Sequence, residues 1–175
     1  MGYNNIMNKK VVYTSIFGPQ FYLHDPKMKL DGWDFVCFTD RTDIESDVWT
    51  IRPTLKIYDG VRDSKKPKIL PHRYLDEYEY SIWIDGNINV IGNIDELVNK
   101  YLSDCNVALF NHANNKLDSN DCIYKEANYI FELGNKNMNL SPERGIKNFK
   151  DNPTLIRDQI EKYKLLKYPV NNGLS

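Results

Sequence analysis

The segment Asp85-Gly86-Asn87 carries the sharpest chemical signal in the chain. It follows Tyr80-Ser81-Ile82-Trp83-Ile84, an apolar and aromatic run that reads as a strand. A carboxylate is thereby delivered to a strand's open end. Gly86 lets the backbone turn and leaves room for a ligand. Asp85 and Asn87 both offer oxygen, the donor atom that hard divalent cations prefer. The plain alternative is an Asp-Gly turn in which Asp85 hydrogen-bonds its own backbone.

Charge gives the second signal. Arg62, Lys65, Lys66, Lys68, His72 and Arg73 crowd the stretch just before that strand. The chain as a whole is balanced, with 23 Lys+Arg against 24 Asp+Glu and a net charge of −1. Such a balance argues against a general nucleic-acid binder, which relies on neutralising many phosphates. A local cluster suits a diphosphate instead, with Arg giving forked hydrogen bonds and Lys a point charge. A divalent cation bridging Asp85 and a diphosphate would hold that ligand and stabilise charge on a departing nucleotide. The competing reading of the same cations is a solvated helix face.

Other polar residues stand at the ends of apolar runs. Thr14 and Ser15 lie near the end of Val11–Phe17, and Asp40 and Arg41 follow Phe35–Thr39. Asn111 and His112 follow Val107–Phe110, read as a further buried strand. Asp40 can accept hydrogen bonds from a base or ribose. His112 can bind metal or orient a substrate, and Glu126 on the next helix can act as a base toward a hydroxyl. Each has a structural alternative: an exposed loop, a packed strand end, a hydrogen-bonding histidine, a solvated glutamate. Neither a Gly-x-Ser-x-Gly elbow nor a phosphate-loop motif occurs, which weakens hydrolase and P-loop readings.

These residues need a frame. Val11–Phe17, Phe35–Thr39, Val48–Ile51 and Tyr80–Ile84 read as strands, the main ones without clean alternation, as in a buried parallel sheet. Ser64 is the expected N-cap of a helix with Pro67 in its first turn, and Pro71 is expected to split that segment. Ile94–Leu102 has helical spacing, with Leu97, Val98, Tyr101 and Leu102 on one side. Ile123–Leu133 and Pro153–Leu166 read as further helices. Strands alternating with helices predict one α/β domain over residues 11–175 behind a tail at 1–10, with a mostly parallel central sheet flanked by helices. Ligands then bind at the carboxyl ends of the strands. Three cysteines with no zinc spacing read as reduced thiols. No apolar run approaches the ~20 residues that span a bilayer. A cytoplasmic location is the expectation.

In combination the segments resemble a known family. Val12–Gly18, Val36–Asp40, Arg62–His72, Tyr80–Asn87, and Asn111-His112 with Tyr124–Ala127 occur in its order. They look like the glycosyltransferase-like domain of plant mucilage-related, bacterial and viral proteins, more distantly similar to glycogenin-like transferases. The resemblance spans roughly residues 10–175 and implies a GT-A (Rossmann-like) fold. It implies a nucleotide-diphosphate sugar donor, often a uridine nucleotide, and transfer to the hydroxyl of a glycan, protein or lipid acceptor. Thr14, Ser15 and Asp40 would line the nucleotide, and Arg62, Lys65, Lys66 and Lys68 would face the diphosphate. Asp85 and Asn87 would take the place of an Asp-x-Asp motif holding Mn²⁺ or Mg²⁺, with a neutral amide in the second position. Asp85, His112 and Glu126 would serve catalysis. Asn171-Asn172-Gly173 resembles the strand that meets donor sugar or acceptor, and the acceptor side is expected to be truncated or supplied by another chain. The runner-up reading is a nucleotide- or carbohydrate-binding module of the same fold without turnover, and a hydrolase using Asp85 or Glu126 is third.

Overall fold

A computed structural model of the protein describes residues 9–19, 22–28, 30–110, 125, 127–129, 132 and 153–163. Four strands form one sheet: β1 (Lys10–Ile16), β2 (Trp33–Thr39), β3 (Thr50–Pro53) and β4 (Tyr80–Trp83). Their order is β3-β2-β1-β4, and every pairing is parallel. β1 and β2 are buried on both faces, which is why their sequences lack alternation. The register sets Val12 beside Phe35 and Tyr13 beside Val36, so each face carries its own core. One core gathers Val12, Ile16, Phe35, Cys37 and Trp49, joined by Ile94 and Val98. The other gathers Val11, Tyr13, Val36 and Phe38, joined by Leu75. With both faces covered, the architecture is α/β and Rossmann-like, as the sequence predicts.

Several element boundaries differ from expectation, those of β3 and of the helix after it with a clear local cause. Val48 and Trp49 precede β3 rather than starting it, because the Ser46 hydroxyl accepts both their N–H groups, at 3.0 and 2.9 Å. β3 then runs through Pro53, which an edge strand tolerates because one side of its ladder is unpaired. Helix α1 covers Gly60–Ile69, so its N-cap is Asp59 and not Ser64. Asp59 has extended backbone, and its carboxylate accepts the Arg62 N–H at 2.8 Å. Pro67 therefore sits inside the helix, where it removes the bond to the Asp63 carbonyl. The expected break at Pro71 is present, since a 3-10 turn follows at Pro71–Arg73.

Helix α2 (Asp95–Tyr101) follows β4. Its buried stripe is Ile94 and Val98 with Leu102 packed beside them, at i, i+4 and i+8. Leu97 and Tyr101, expected on that side, are 39% and 50% exposed. Asp95 ties the helix to the sheet by accepting from the Lys10 ammonium and, at 3.1 Å, from the Trp33 indole N–H.

Two carboxyls thus brace the frame. Asp95 is held below its ordinary 3.8 chiefly by the Lys10 hydrogen bond. Asp63 is held below the same value chiefly by Lys66. A carboxyl whose folded pKa is depressed stabilises the fold above its unfolded value and loses that contribution as pH falls through the folded value. Thermal stability is therefore expected to hold down to about pH 4 and to decline below it. Melting curves from pH 7 to pH 2 check this, and Asp95→Asn should flatten the decline.

The chain divides into two compact units, Met1–Asp104 and Cys105–Ser175. In the second, helix α3 spans Pro153–Tyr163, matching the start of the expected helix. Val107–Phe110 is not a strand there: Val107, Leu109 and Phe110 are 70%, 63% and 96% exposed. An apolar tetrapeptide becomes a strand only when a neighbour's edge pairs with it, and no described strand does. Among the described residues no helix is long and apolar enough to cross a membrane.

Candidate functional site

The strand order fixes where a ligand can sit. From β1 the chain steps through β2 to β3 on one side, then returns to place β4 on the other side of β1. The crevice beyond the carboxyl ends of β1 and β4 is thus the topological switch point, where such sheets bind ligands. The Ile84 N–H donates to the Tyr13 carbonyl at 3.0 Å, holding the two strand ends together. Asp85 comes next, with its side chain 58% exposed. The backbone does form a turn, since the Ile88 N–H reaches the Asp85 carbonyl at 2.9 Å. That turn uses the carbonyl and leaves the carboxylate outside.

The carboxylate meets two donors. Lys68 Nζ lies 3.2 Å from Asp85 Oδ1, and the Trp83 indole N–H donates to the same oxygen at 2.9 Å. The Lys68 ammonium also stands over the Trp83 ring, 5.1 Å from its centre. Partial burial pushes the Asp85 carboxyl up, but the Trp83 hydrogen bond and Lys68 together hold it below its ordinary range. The result is an ionised carboxylate and a cation side by side on an open rim.

The other basic residues divide. Lys66 pairs with the buried Asp63 at 2.7 Å. Arg62 pairs with Asp59 at 3.5 Å. Lys65 is exposed on α1. Of the four cations expected at a diphosphate, Lys68 is the one in contact with Asp85.

At the neighbouring strand ends, Asp40 accepts the Gly18 N–H at 3.1 Å and Arg41 reaches the Gly18 carbonyl at 3.4 Å. Gly18 has φ 82, a conformation that favours glycine, so these contacts brace a tight turn after β1. Thr14 is 1% exposed, and the hydroxyl oxygens of Thr14 and Ser15 are enclosed without a hydrogen-bond partner. His112, Glu126 and Asn171–Gly173 lie outside the described residues.

Two contributors, Trp83 and Asp63, and the packing role of Gly86 escape the sequence reading. Trp83 was detectable in principle: two residues before Asp85 on a strand, it shares the same face. Asp63 was a lone acid in a basic stretch. Gly86 has a steric role beyond its turn, for an added Cβ would stand 2.6 Å from Ile16 Cδ1. Since Ile16 is packed in the core, Gly86→Ala is expected to cost about 1–3 kcal/mol by overpacking. Ile16→Val in the same chain removes the opposing methyl and should recover part of that loss. Chemical denaturation of the single and double variants checks it.

As a metal site the rim offers one carboxylate, already shared with Lys68, and the exposed neutral Asn87. Among the described residues no three His, Cys, Asp or Glu side chains converge. Mg²⁺ is commonly held by one or two carboxylates together with substrate phosphates. The donor set therefore fits a divalent cation only when phosphate oxygens complete it.

A parallel α/β sheet with an exposed acid-base pair at its switch point belongs to the class of domain that binds ligands beyond its strand ends. The match to the family described as TOD1/MUCI70, glycosyltransferase-like domain, covers residues 4–164, and the chain belongs to that family. At this level it is a glycosyltransferase-like domain. Comparison with curated proteins and with solved structures gives no significant match.

Proposed function

We propose that the domain binds a nucleotide-diphosphate sugar, with a uridine nucleotide as first candidate, and transfers the sugar to an acceptor hydroxyl. The observation that carries this reading is the exposed Lys68–Asp85 pair at the carboxyl ends of β1 and β4. In the proposed complex Lys68 turns its charge toward the diphosphate, and Lys65 adds long-range attraction. Asp85 and Asn87 would hold a divalent cation together with the donor's phosphates, and that cation would stabilise charge on the leaving nucleotide. The braced turn at Gly18 and Asp40 forms the nucleotide side of the crevice. His112 and Glu126 are the proposed groups toward the acceptor. We also propose a cytoplasmic location.

Titration calorimetry with a panel of uridine, guanosine and adenosine diphosphate sugars, with and without Mn²⁺, tests the binding claim. Affinity in the micromolar-to-millimolar range usual for enzyme substrates is expected for one nucleotide. No binding across the panel would remove the reading. The second reading, a binding module, draws on the neutral Asn87. It would stand if binding persists while glycan, protein and lipid acceptors all yield no product and the donor is not hydrolysed.

A further inference from the structure

Helix α1 buries an unusual face. Its two fully buried residues are Asp63 and Pro67, one turn apart. Its aliphatic residues point the other way, with Val61 39% and Ile69 69% exposed. Apolar burial, which ordinarily fixes a helix to its sheet, is therefore slight here. Pro67 further weakens the helix by deleting one backbone bond.

The Asp63 carboxylate ties the helix to the loop before it. Oδ2 accepts the Ile57 and Tyr58 N–H groups at 2.9 and 2.8 Å. Oδ1 faces the Lys66 ammonium at 2.7 Å, an ion pair outside hydrogen-bond angles. Lys66 in turn stands over the Tyr58 ring, 4.6 Å from its centre. Loop, carboxylate, cation and ring form a closed clasp, and Lys68 follows directly after the buried Pro67. From there it reaches Asp85 and the Trp83 ring.

We propose that Asp63 is a positioning residue: its clasp on Ile57, Tyr58 and Lys66 sets the orientation of α1 that brings Lys68 to Asp85. The claim about position stands on this geometry alone; its consequence for ligand binding rests on the nucleotide-diphosphate site proposed above.

Limited acetylation of the full chain, read by mass spectrometry, tests the position. Lys65 on the same helix is exposed and serves as the internal reference. In Asp63→Ala the Lys68-to-Lys65 labelling ratio is expected to rise roughly two- to five-fold, the scale of a lost surface ion pair. Asp63→Asn keeps an oxygen for the two N–H groups and should give a smaller rise. Should Asp63→Ala fail to fold, Asp63→Asn decides alone: a raised ratio supports the proposal, and an unchanged one overturns it.

A double-mutant cycle on uridine diphosphate affinity adds a readout that mere destabilisation would not move. Asp63→Asn should weaken binding in the native background and have no further effect beside Lys68→Ala. Equal losses in both backgrounds overturn the proposal. If the native protein binds no uridine diphosphate, the functional reading fails while the labelling ratio still decides the role of Asp63.

Discussion

Asp85→Ala is expected to remove sugar transfer while leaving the fold intact. The side chain is 58% exposed, so its deletion opens no cavity. Surface changes of this kind usually stay within about 0.5 kcal/mol of native stability. The chemical loss is larger. Without the carboxylate the site loses the anionic ligand proposed for a cation, and Lys68 loses the partner that fixes its head. Removal of one preorganised charge-stabilising group typically costs about 10²–10³ in turnover. In the proposed mechanism, stimulation by Mn²⁺ should vanish with it. Asp85→Asn separates the causes, because an amide oxygen still accepts from Trp83 and Lys68 but carries no charge. Since the carboxyl sits below its ordinary 3.8, it is ionised throughout the neutral range, and its titration should leave no mark on the rate profile above about pH 5. Unchanged donor affinity and metal response in Asp85→Ala would sink the placement of the site.

The parts of this design that were legible in the sequence are those written locally. β1 and β2 announce themselves as continuous β-branched and aromatic runs, because a strand buried on both faces has no polar side to show. Asp85 announces itself because an apolar strand ends on a carboxylate and a glycine. The start of α1 was missed because Ser64 and Asp59 are both fair caps, and only the tertiary burial of Asp63 decides between them. The basic cluster also divides in space in a way the chain order does not show. Seen along the chain, Arg62, Lys66 and Lys68 are three cations within one short helix. In space two of them answer nearby acids at i−3, Asp59 and Asp63, while the third answers an acid seventeen residues away. Sequence proximity reveals the first kind of pair and hides the second. Val107–Phe110 fails for a related reason, since strand propensity describes a half-buried pleated surface and says nothing of whether a neighbour exists.

Lys68→Met should weaken nucleotide-diphosphate binding about 10- to 100-fold, the range for losing a hydrogen bond to a charged group. Methionine keeps an unbranched apolar stem to lie against Trp83, so the change isolates the ammonium from its packing. Binding by the native protein should weaken as salt rises, and the variant should be less salt-sensitive, because a screened attraction has been removed. Lys68→Arg keeps the charge and should retain part of the affinity, though its planar fork differs from a compact ammonium. The opposite pattern is equally readable. Lys68 competes with any cation for Asp85 Oδ1, so its removal also frees that oxygen. A rise in Mn²⁺ affinity accompanied by undiminished nucleotide binding would make Lys68 a guard over a metal ligand. Loss of nucleotide binding at every Mn²⁺ concentration makes it the cation that receives the diphosphate.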